Sequence, residues 1–177
     1  MIEKIKIQDF DTIYHLMEVS FPSDEYRTYE EQKALLSNPV YNIYVLYDES
    51  QDVKAFIVVW EFNKFAFIEH FVVNPEHRNG GIGANMLNEL VELLGKTVCL
   101  EVELPETEMA SRRIGFYKRN NFFINEYPYI QPPVSQGKNA IPLIIMTSGS
   151  KVDEETFEQI KRTLYTEVYN RYFSKKV

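Results

Sequence analysis

The apolar residues of this chain recur with two different periods, and each period predicts a different secondary structure. Runs rich in Val, Ile, Phe and Tyr predict strands, whereas apolar residues three and four positions apart predict helices. The strand patterns cover residues 2–7, 41–47, 53–61, 64–73, 97–104, 122–129 and 140–146. The helical patterns cover residues 9–19, a short segment that opens at Thr28, and residues 82–94, 107–120 and 157–172. The resulting order, βααβββαβαββα, predicts a mixed α/β sheet.

The spacing between these elements predicts how the strands pair. Residues 41–47, 53–61 and 64–73 are separated by short polar turns, which is typical of an antiparallel meander. A helix separates residues 64–73 from residues 97–104, so these two strands are predicted to run parallel. Because no repeat or polar linker interrupts the chain, we expect one domain, 1–177. The amphipathic C-terminal helix is expected to pack on the same core or to dock a second copy in a homodimer.

Composition and charge narrow the classes of partner. Apolar residues make up 45% of the chain and charged residues 25%, which is typical of a globular protein. The formal net charge of -7 opposes binding to nucleic acid and favours a cationic amine. The N-terminus lacks the apolar stretch of a signal peptide, and no run reaches the roughly 20 apolar residues of a membrane span, so no membrane partner is expected. The single cysteine, Cys99, is predicted to be a buried strand residue in a cytoplasmic protein.

A glycine-rich turn joins the fourth predicted strand to the third predicted helix. Gly80, Gly81 and Gly83 stand in this turn, and residues without a side chain let a ligand approach the backbone closely. The first N–H groups of a helix have no intrahelical partner, and the helix dipole favours an anion beside them. Arg78 adds a further donor at the rim of the turn. The turn therefore predicts a ligand that bears phosphate.

Two common phosphate-binding motifs do not fit this chain. The dinucleotide fingerprint G-x-G-x-x-G needs a third glycine where Met86 stands. The run Gly95-Lys96-Thr97 copies the end of a Walker loop, but the earlier glycine of that motif would have to replace Leu90. That run also follows a helix, whereas a Walker loop precedes one.

The turn resembles the acetyl-CoA signature of the GNAT acetyltransferases, Q/R-x-x-G-x-G/A, with Arg78, Gly81 and Gly83 in register. Residues 71–75 are similar to the lead-in to the signature in that family, and residues 112–122 are similar to its later helix-to-strand segment. The order of the predicted elements agrees as well. Three matching segments in the family's order make the resemblance more specific than the short signature alone.

The resemblance implies an α/β GNAT fold. In that fold the sheet is mixed and mostly antiparallel, its parallel strands four and five splay apart, and helices cover both faces. The resemblance covers a core of residues 1–148, which leaves residues 149–177 as a C-terminal helical extension. It also implies an N-acetyltransferase that uses acetyl-CoA as a cosubstrate and no metal.

The resemblance further implies which residues bind the cosubstrate. The turn amides would hold the pyrophosphate, and the backbone of Val72 and Val73 would bind the pantetheine arm. The implied binding residues are Phe71, Val72, Val73, Arg78, Asn79, Gly80, Gly81, Ile82, Gly83, Ala84 and Tyr117. Tyr117 matches the family's proton donor to the departing thiolate. Asn121 stands where the family usually has glycine, and asparagine tolerates the left-handed conformation that glycine adopts there.

Three glutamates are candidates for the base that deprotonates the amine. Glu69 is predicted to share a strand face with Phe71, whereas His70, one residue on, would point to the opposite face. Glu101 and Glu103 alternate on the next strand and are expected to neighbour Glu69. Carboxylates near an apolar cleft can have raised pKa values or can attract a cationic substrate. The alternative is that any of them faces solvent or pairs with Arg112 or Arg113.

The acceptor is expected to be an amine of a small molecule or a protein amino group, which attacks acetyl-CoA directly in a ternary complex. The resemblance implies that residues 21–27 and the loop 127–134 shape its pocket. Both segments contain aromatic side chains, which bind amines through cation–π contacts, and residues 21–27 also contain acids. A non-catalytic acyl-CoA-binding sensor or interaction module with the same fold is the alternative function.

Overall fold

The computed structural model describes residues 1–169, so the predicted helical position Tyr172 lies outside the described residues. The chain divides into two compact units. Unit 1 consists of Met1–Pro22 and Tyr29–Val98, and unit 2 consists of Ser23–Thr28 together with the chain from Cys99 onward. That the two units form a single domain stays a prediction.

Unit 1 is a four-stranded antiparallel sheet with three helices. Its elements are β1 (Glu3–Lys4), α1 (Phe10–Ser20), α2 (Tyr29–Ala34), β2 (Tyr41–Tyr47), β3 (Val53–Glu61), β4 (Phe65–Val73) and α3 (Ile82–Leu94). The strands follow the order β1-β2-β3-β4. Residues 55–60 of β3 are buried on both faces, which explains why they are a continuous apolar run without alternation. The predicted meander is therefore confirmed.

The first strand is shorter than predicted. It covers only Glu3–Lys4, because a 3₁₀ turn at Ile7–Asp9 already leads into α1. Asp9 occupies the N-cap position of α1, yet its side chain forms no capping hydrogen bond. Its carboxylate instead accepts a hydrogen bond from the Tyr47 hydroxyl at 2.7 Å, which ties the start of the helix to the end of β2.

Unit 2 is built around the long strand β8. Its elements are β5 (Thr97–Glu103, from Cys99 onward), α4 (Glu108–Arg119), β6 (Phe122–Asn125), β7 (Ile130–Gln131), β8 (Ile141–Ser148), α5 (Glu154–Thr163) and a π-helical turn at Leu164–Tyr169. Strands β5, β6 and β7 all pair antiparallel with β8. Cys99 is buried in β5, as predicted.

The strand predicted at residues 122–129 ends early, at Asn125. The buried Asn125 amide donates hydrogen bonds to the Ile145 carbonyl at 3.2 Å and to Thr147 Oγ1 at 3.0 Å. Its oxygen accepts from the Val152 N–H at 2.9 Å, so one side chain anchors the strand end. Asn121 has φ of 64°, which confirms that asparagine takes the left-handed conformation at this turn. Among residues 1–169, no helix combines the length and apolar character needed to cross a bilayer.

Candidate active site

The glycine-rich turn curls because two of its residues have left-handed backbones. Asn79 has φ of 79° and Gly81 has φ of 69°. The turn is anchored before them by Asn74, whose side-chain oxygen accepts from the Glu76 N–H at 3.2 Å. The amide nitrogen of Asn74 donates to the Val53 carbonyl at 3.1 Å, which fixes the start of the turn to β3. Sequence reasoning identified the glycines but not this anchor.

Helix α3 begins without a side-chain cap. Gly81 is its N-cap residue, and the first intrahelical bond joins the Asn85 N–H to the Gly81 carbonyl at 3.0 Å. The amides of Ile82, Gly83 and Ala84 therefore precede the first intrahelical bond and can donate to an anion. Helices α4 and α5 differ, because Thr107 and Asp153 cap them with side-chain oxygens.

The space around the turn fits a phosphate group. A Cβ added at Gly81 would meet no atom within 4 Å, and residues 78–81 are exposed. Arg78 lies at the rim, where its Nε is 3.5 Å from the carbonyl of Val73, the last residue of β4. The predicted cosubstrate residues of this turn are thus brought together around backbone donors and one guanidinium group. This arrangement suits the diphosphate of a nucleotide-like ligand.

A β-bulge interrupts β4 at the predicted base. Val58 pairs with His70 and Val59 pairs with Ile68, which leaves Glu69 as the extra residue. A bulge disturbs the regular alternation of side chains, and here the Glu69 carboxylate lies 3.9 Å from His70 Nδ1. The expectation that Glu69 and His70 point to opposite faces is therefore wrong.

The Glu69 carboxylate is deeply buried and held by a tryptophan. Its side chain is 3% exposed, and that of His70 is 2% exposed. Trp60 Nε1 donates a hydrogen bond to Glu69 Oε2 at 3.1 Å. The His70 ring also contacts the Phe21 ring edge-on, with centroids 4.9 Å apart. These contacts hold a carboxylate in an apolar environment, the kind of place where a base can be tuned.

Tyr117 lies on α4 and is buried. Its ring packs edge-on against Phe116 and Phe122, with centroids 5.2 and 5.7 Å away. Burial raises the pKa of Tyr117 to about 12, although the positive charge of Arg113 opposes the shift. The phenol therefore keeps its proton throughout the physiological pH range. There it can donate a proton as a general acid, but it cannot act as a base.

The two glutamates of β5 have different partners. Glu101 Oε1 accepts hydrogen bonds from the hydroxyls of Tyr129 at 2.8 Å and Tyr169 at 2.6 Å. Burial, followed by the Glu101 charge, raises the pKa of Tyr129 well above its usual value. Glu103 forms an ion pair with Arg113 at 3.0 Å, so the alternative of a paired glutamate is confirmed for this residue.

The segment Ser23–Thr28 belongs to unit 2 and is tied to the loop before β8. The Asp24 carboxylate accepts hydrogen bonds from the backbone and side-chain nitrogens of Asn139, both at 3.1 Å. Lys138 donates to the Ser23 carbonyl, and its ammonium group lies 5.1 Å from the centre of the Tyr26 ring. The buried Arg27 donates to the Val168 carbonyl at 3.0 Å. The first predicted acceptor segment is thus tied to residues 138–139 and to Val168, all of which lie outside the predicted loop 127–134.

Glu25 and Asp24 are expected to affect stability in opposite ways as pH changes. Burial, and next the Glu103 charge, raises the pKa of Glu25, whereas hydrogen bonds from Asn139 lower the pKa of Asp24. Ionised Glu25 thus destabilises the fold above its raised pKa, and ionised Asp24 stabilises it above about pH 4. At pH 7.5, Glu25→Gln should raise the melting temperature by a few degrees at most, and Asp24→Asn should lower it.

The Glu25 difference should fade as the pH falls below the raised pKa of Glu25, and the Asp24 difference only as the pH falls below about 4 and through the lowered pKa of Asp24. Thermal melts of the three proteins from about pH 2.5 to about pH 8 measure both changes. A stabilising Glu25→Gln change that persists at the acid end would show that charge is not its cause.

Comparison with solved structures identifies the class of protein. A protein of Bacteroides thetaiotaomicron assigned to the GNAT acetyltransferases is 35% identical to this chain, with a TM-score of 0.88. The match covers 96% of this chain and 98% of the other. The family model described as an acetyltransferase (GNAT) domain matches residues 39–123. The chain therefore belongs to the GNAT acetyltransferases, and the predicted α/β GNAT fold is confirmed.

Two further structures share the fold at lower identity. A variant of the spermidine N-acetyltransferase SpeG from Vibrio cholerae is 15% identical, with a TM-score of 0.62 over 84% of this chain and 94% of the other. The ribosomal-protein-S18-alanine N-acetyltransferase from Escherichia coli is 20% identical, with a TM-score of 0.63 over 88% and 96%. One of these proteins is named for a small amine and the other for a protein amino group, so the fold alone does not select the acceptor.

Sequence reasoning missed Trp60 and His70 as neighbours of Glu69. Their contact depends on the bulge, which a regular strand pattern does not reveal. It also missed Gln131, whose buried amide becomes apparent only when the loop around it is folded.

Proposed function

We propose that the protein transfers an acetyl group from acetyl-CoA to a primary amine by direct attack in a ternary complex. One observation carries the cosubstrate assignment: the uncapped start of α3 presents three amides behind the left-handed Gly81. The same residues lie in register with the family signature. An N-cap without a side chain leaves these donors to a ligand, which a Ser, Thr, Asp or Asn at that position would not.

The cosubstrate would be held by backbone groups and one side chain of unit 1. The turn residues from Arg78 to Ala84 would bind the diphosphate, with the guanidinium group at the rim. Phe71, Val72 and Val73 at the end of β4 would bind the pantetheine arm. Acetyl-CoA supplies an activated thioester whose carbonyl carbon the amine attacks.

Two side chains would move the protons of the reaction. Glu69 would accept a proton from the acceptor ammonium group, directly or through water, and so free the nitrogen lone pair. The new bond is the amide C–N bond, and the bond that breaks is the thioester C–S bond. Tyr117 would donate its proton to the departing sulfur. The second proton, which the attacking nitrogen loses as the amide forms, would return the tyrosinate to a phenol directly or through water. Glu101 is the alternative base, although two tyrosine hydroxyls already donate to one of its oxygens.

Thermal stability with and without ligand tests the cosubstrate assignment. Ligands that bind only the folded state stabilise it by about 2.7 kcal/mol at one hundred times Kd. For a protein of this size we expect acetyl-CoA to raise the melting temperature by about 5–10 °C. NAD and ATP, at the same concentration, should cause no comparable shift.

A matched pair of variants separates ligand binding from backbone strain. Gly81 and Gly95 stand at opposite ends of α3, have φ of 69° and 59°, and would each accept a Cβ without contact within 4 Å. Gly81→Trp and Gly95→Trp therefore impose similar strain. Only Gly81→Trp should abolish the acetyl-CoA shift. If both variants keep the shift, the turn does not bind the cosubstrate; if acetyl-CoA shifts the wild type but no amine is acetylated, the sensor alternative holds.

A further inference from the structure

The β-bulge of β4 places a second titratable group beside the proposed base. Glu69 is the extra residue of the bulge, and the next residue, His70, lies opposite Val58 of β3. The His70 Nδ1 atom lies 3.9 Å from Glu69 Oε2, and the two side chains are 2% and 3% exposed. Both residues belong to unit 1. A carboxylate and an imidazole buried at this distance cannot titrate independently, because the charge on one changes the proton affinity of the other.

Aromatic side chains hold the two groups in place. Trp60 Nε1 donates to Glu69 Oε2, the carboxylate oxygen that also faces His70. The Trp60 ring itself packs edge-on against the Tyr41 ring, with centroids 5.2 Å apart. On the other side of the pair, Phe21 packs edge-on against the His70 ring. The carboxylate therefore cannot turn away from the imidazole without losing the hydrogen bond from the indole.

Within residues 1–169, the elements that make the main contacts with β4 add no buried charge to this pair. Their titratable groups are Lys54 and Glu61 on β3, Asp11, Tyr14, His15 and Glu18 on α1, and Glu89 and Glu92 on α3. All of the charged groups among these are exposed or half-buried. The titratable groups of β5, the next strand along the chain, are Cys99, Glu101 and Glu103, and both glutamates have the partners given above. The charge on Glu69 is therefore expected to depend chiefly on the charge on His70.

The pair binds a proton more tightly than the carboxylate would alone. A proton on Glu69 leaves both groups neutral, whereas a proton on His70 leaves an imidazolium beside a carboxylate. Because both arrangements contribute, the proton affinity of the pair exceeds that of the same carboxylate beside a neutral amide. A base with a higher proton affinity takes a proton from an ammonium group more readily.

We propose that His70 is a positioning residue that acts through Glu69, and that it stores the proton which Glu69 takes from the acceptor amine. The role rests on the proposed function, in which Glu69 is the base. An N–H bond of the ammonium group breaks and an O–H bond forms on Glu69. The proton then passes to His70 Nδ1, in the tautomer that carries its hydrogen on Nε2, which restores the carboxylate and leaves an imidazolium. Since 3.9 Å is too long for a hydrogen bond, this transfer needs a side-chain movement of about 1 Å. The imidazolium returns its proton to water after the product has left.

An NMR titration of the histidine side chains tests the pairing without any substrate. The chain has three histidines. His15 is exposed and the His77 side chain is 26% exposed, so their signals serve as internal references and are assigned from His15→Gln and His77→Gln. Glu69→Gln removes the carboxylate charge but can still accept the hydrogen bond from Trp60. In Glu69→Gln the midpoint of the His70 titration should fall by about one pH unit or more, because an opposite charge at this distance favours the imidazolium. The two reference midpoints should not move.

A smaller fall in the His70 midpoint would show that the two groups titrate independently, and it would overturn the proposal. A wild-type His70 that stays neutral down to about pH 5 would overturn it too, because such an imidazole cannot store a proton near neutral pH. Both results are obtained from the wild type and Glu69→Gln, so the test does not depend on the folding of a His70 variant.

The pH dependence of kcat/KM measures the consequence for catalysis. The pair can accept a proton only when it holds none, so the wild-type kcat/KM should rise with pH through the midpoint of the pair. In His70→Gln the carboxylate binds its proton more weakly. The rise should therefore move to lower pH by about one unit, and the plateau should fall about threefold or more. His15→Gln is the matched control and should change neither. A rate that falls equally at every pH, with the rise unmoved, would show that His70 serves only the fold.

The two experiments also separate this proposal from the proposed function. If amines are acetylated and the His70 titration ignores Glu69→Gln, the acetyltransfer stands and the role of His70 fails. Absence of an acetyl-CoA shift in the thermal melts contradicts the proposed function, whatever the titration of His70 shows.

Discussion

Glu69→Gln is expected to lower kcat at pH 7 by about 10²- to 10⁴-fold, the usual contribution of a positioned general base. Glutamine has nearly the same shape and can still accept the hydrogen bond that Trp60 donates at 3.1 Å. It cannot accept the proton of an ammonium group. The loss should shrink as the pH approaches about 10, where amines lose that proton without help. Steady-state rates from pH 6 to 10 measure both effects.

Glu61→Gln is the control for this variant. Glu61 ends β3, and its carboxylate accepts a hydrogen bond from the Tyr44 hydroxyl at 2.7 Å. Replacing it removes a carboxylate of unit 1 that has no proposed part in catalysis, so kcat should stay within about twofold of the wild type. A Glu69→Gln rate within threefold of the wild type at pH 7 would reject this base and make Glu101→Gln the next variant to measure.

Tyr117→Phe is expected to lower kcat by about 10²-fold or more, because phenylalanine cannot donate a proton to the departing sulfur. Within residues 1–169 the Tyr117 hydroxyl makes no hydrogen bond to another protein group, and the ring contacts with Phe116 and Phe122 survive the change. The melting temperature and the acetyl-CoA shift should therefore stay close to the wild type. Single-turnover rates at saturating acetyl-CoA isolate the chemical step.

Tyr44→Phe is the control for Tyr117→Phe, because it should lower stability and leave the rate unchanged. The Tyr44 side chain is largely buried, and its partly buried hydroxyl donates to Glu61, so the loss of that hydroxyl should cost about 1 kcal/mol of stability and leave kcat unchanged.

The pKa of Tyr117, near 12, predicts that the wild-type rate has no falling limb below pH 10 caused by this phenol. A falling limb near pH 8 that disappears in Tyr117→Phe would contradict that pKa.

Local patterns predicted most of the secondary structure. The strands Tyr41–Tyr47 and Val53–Glu61 and the helix Ile82–Leu94 have the predicted bounds, because each is bordered by turn residues or by a helix-ending glycine. The errors lie where another contact outweighs the pattern. Residues 126–129 carry strand-forming tyrosines, but the bonds of Asn125 end the strand before them.

The sequence predicted the backbone of the glycine-rich turn, but it did not predict the side-chain contacts around Glu69. A turn with glycines before a helix indicates free amides wherever it occurs, since the geometry is local. The surroundings of Glu69 depend on a bulge that adds one residue to β4 opposite β3, and no short-range pattern specifies such an insertion.

By itself, the sequence determined the family resemblance, the order of the elements and the position of the glycine-rich turn, because each depends on residues within a few positions of one another. Only the tertiary structure decided that the His70 and Glu69 side chains lie on one face, that Glu101 accepts hydrogen bonds from Tyr129 and Tyr169, and that Gln131 Nε2 is buried without a hydrogen-bond partner among residues 1–169. These facts arise from strand register and from contacts between distant segments. Register is set by the whole sheet, since a shift of one residue reverses every side chain of a strand.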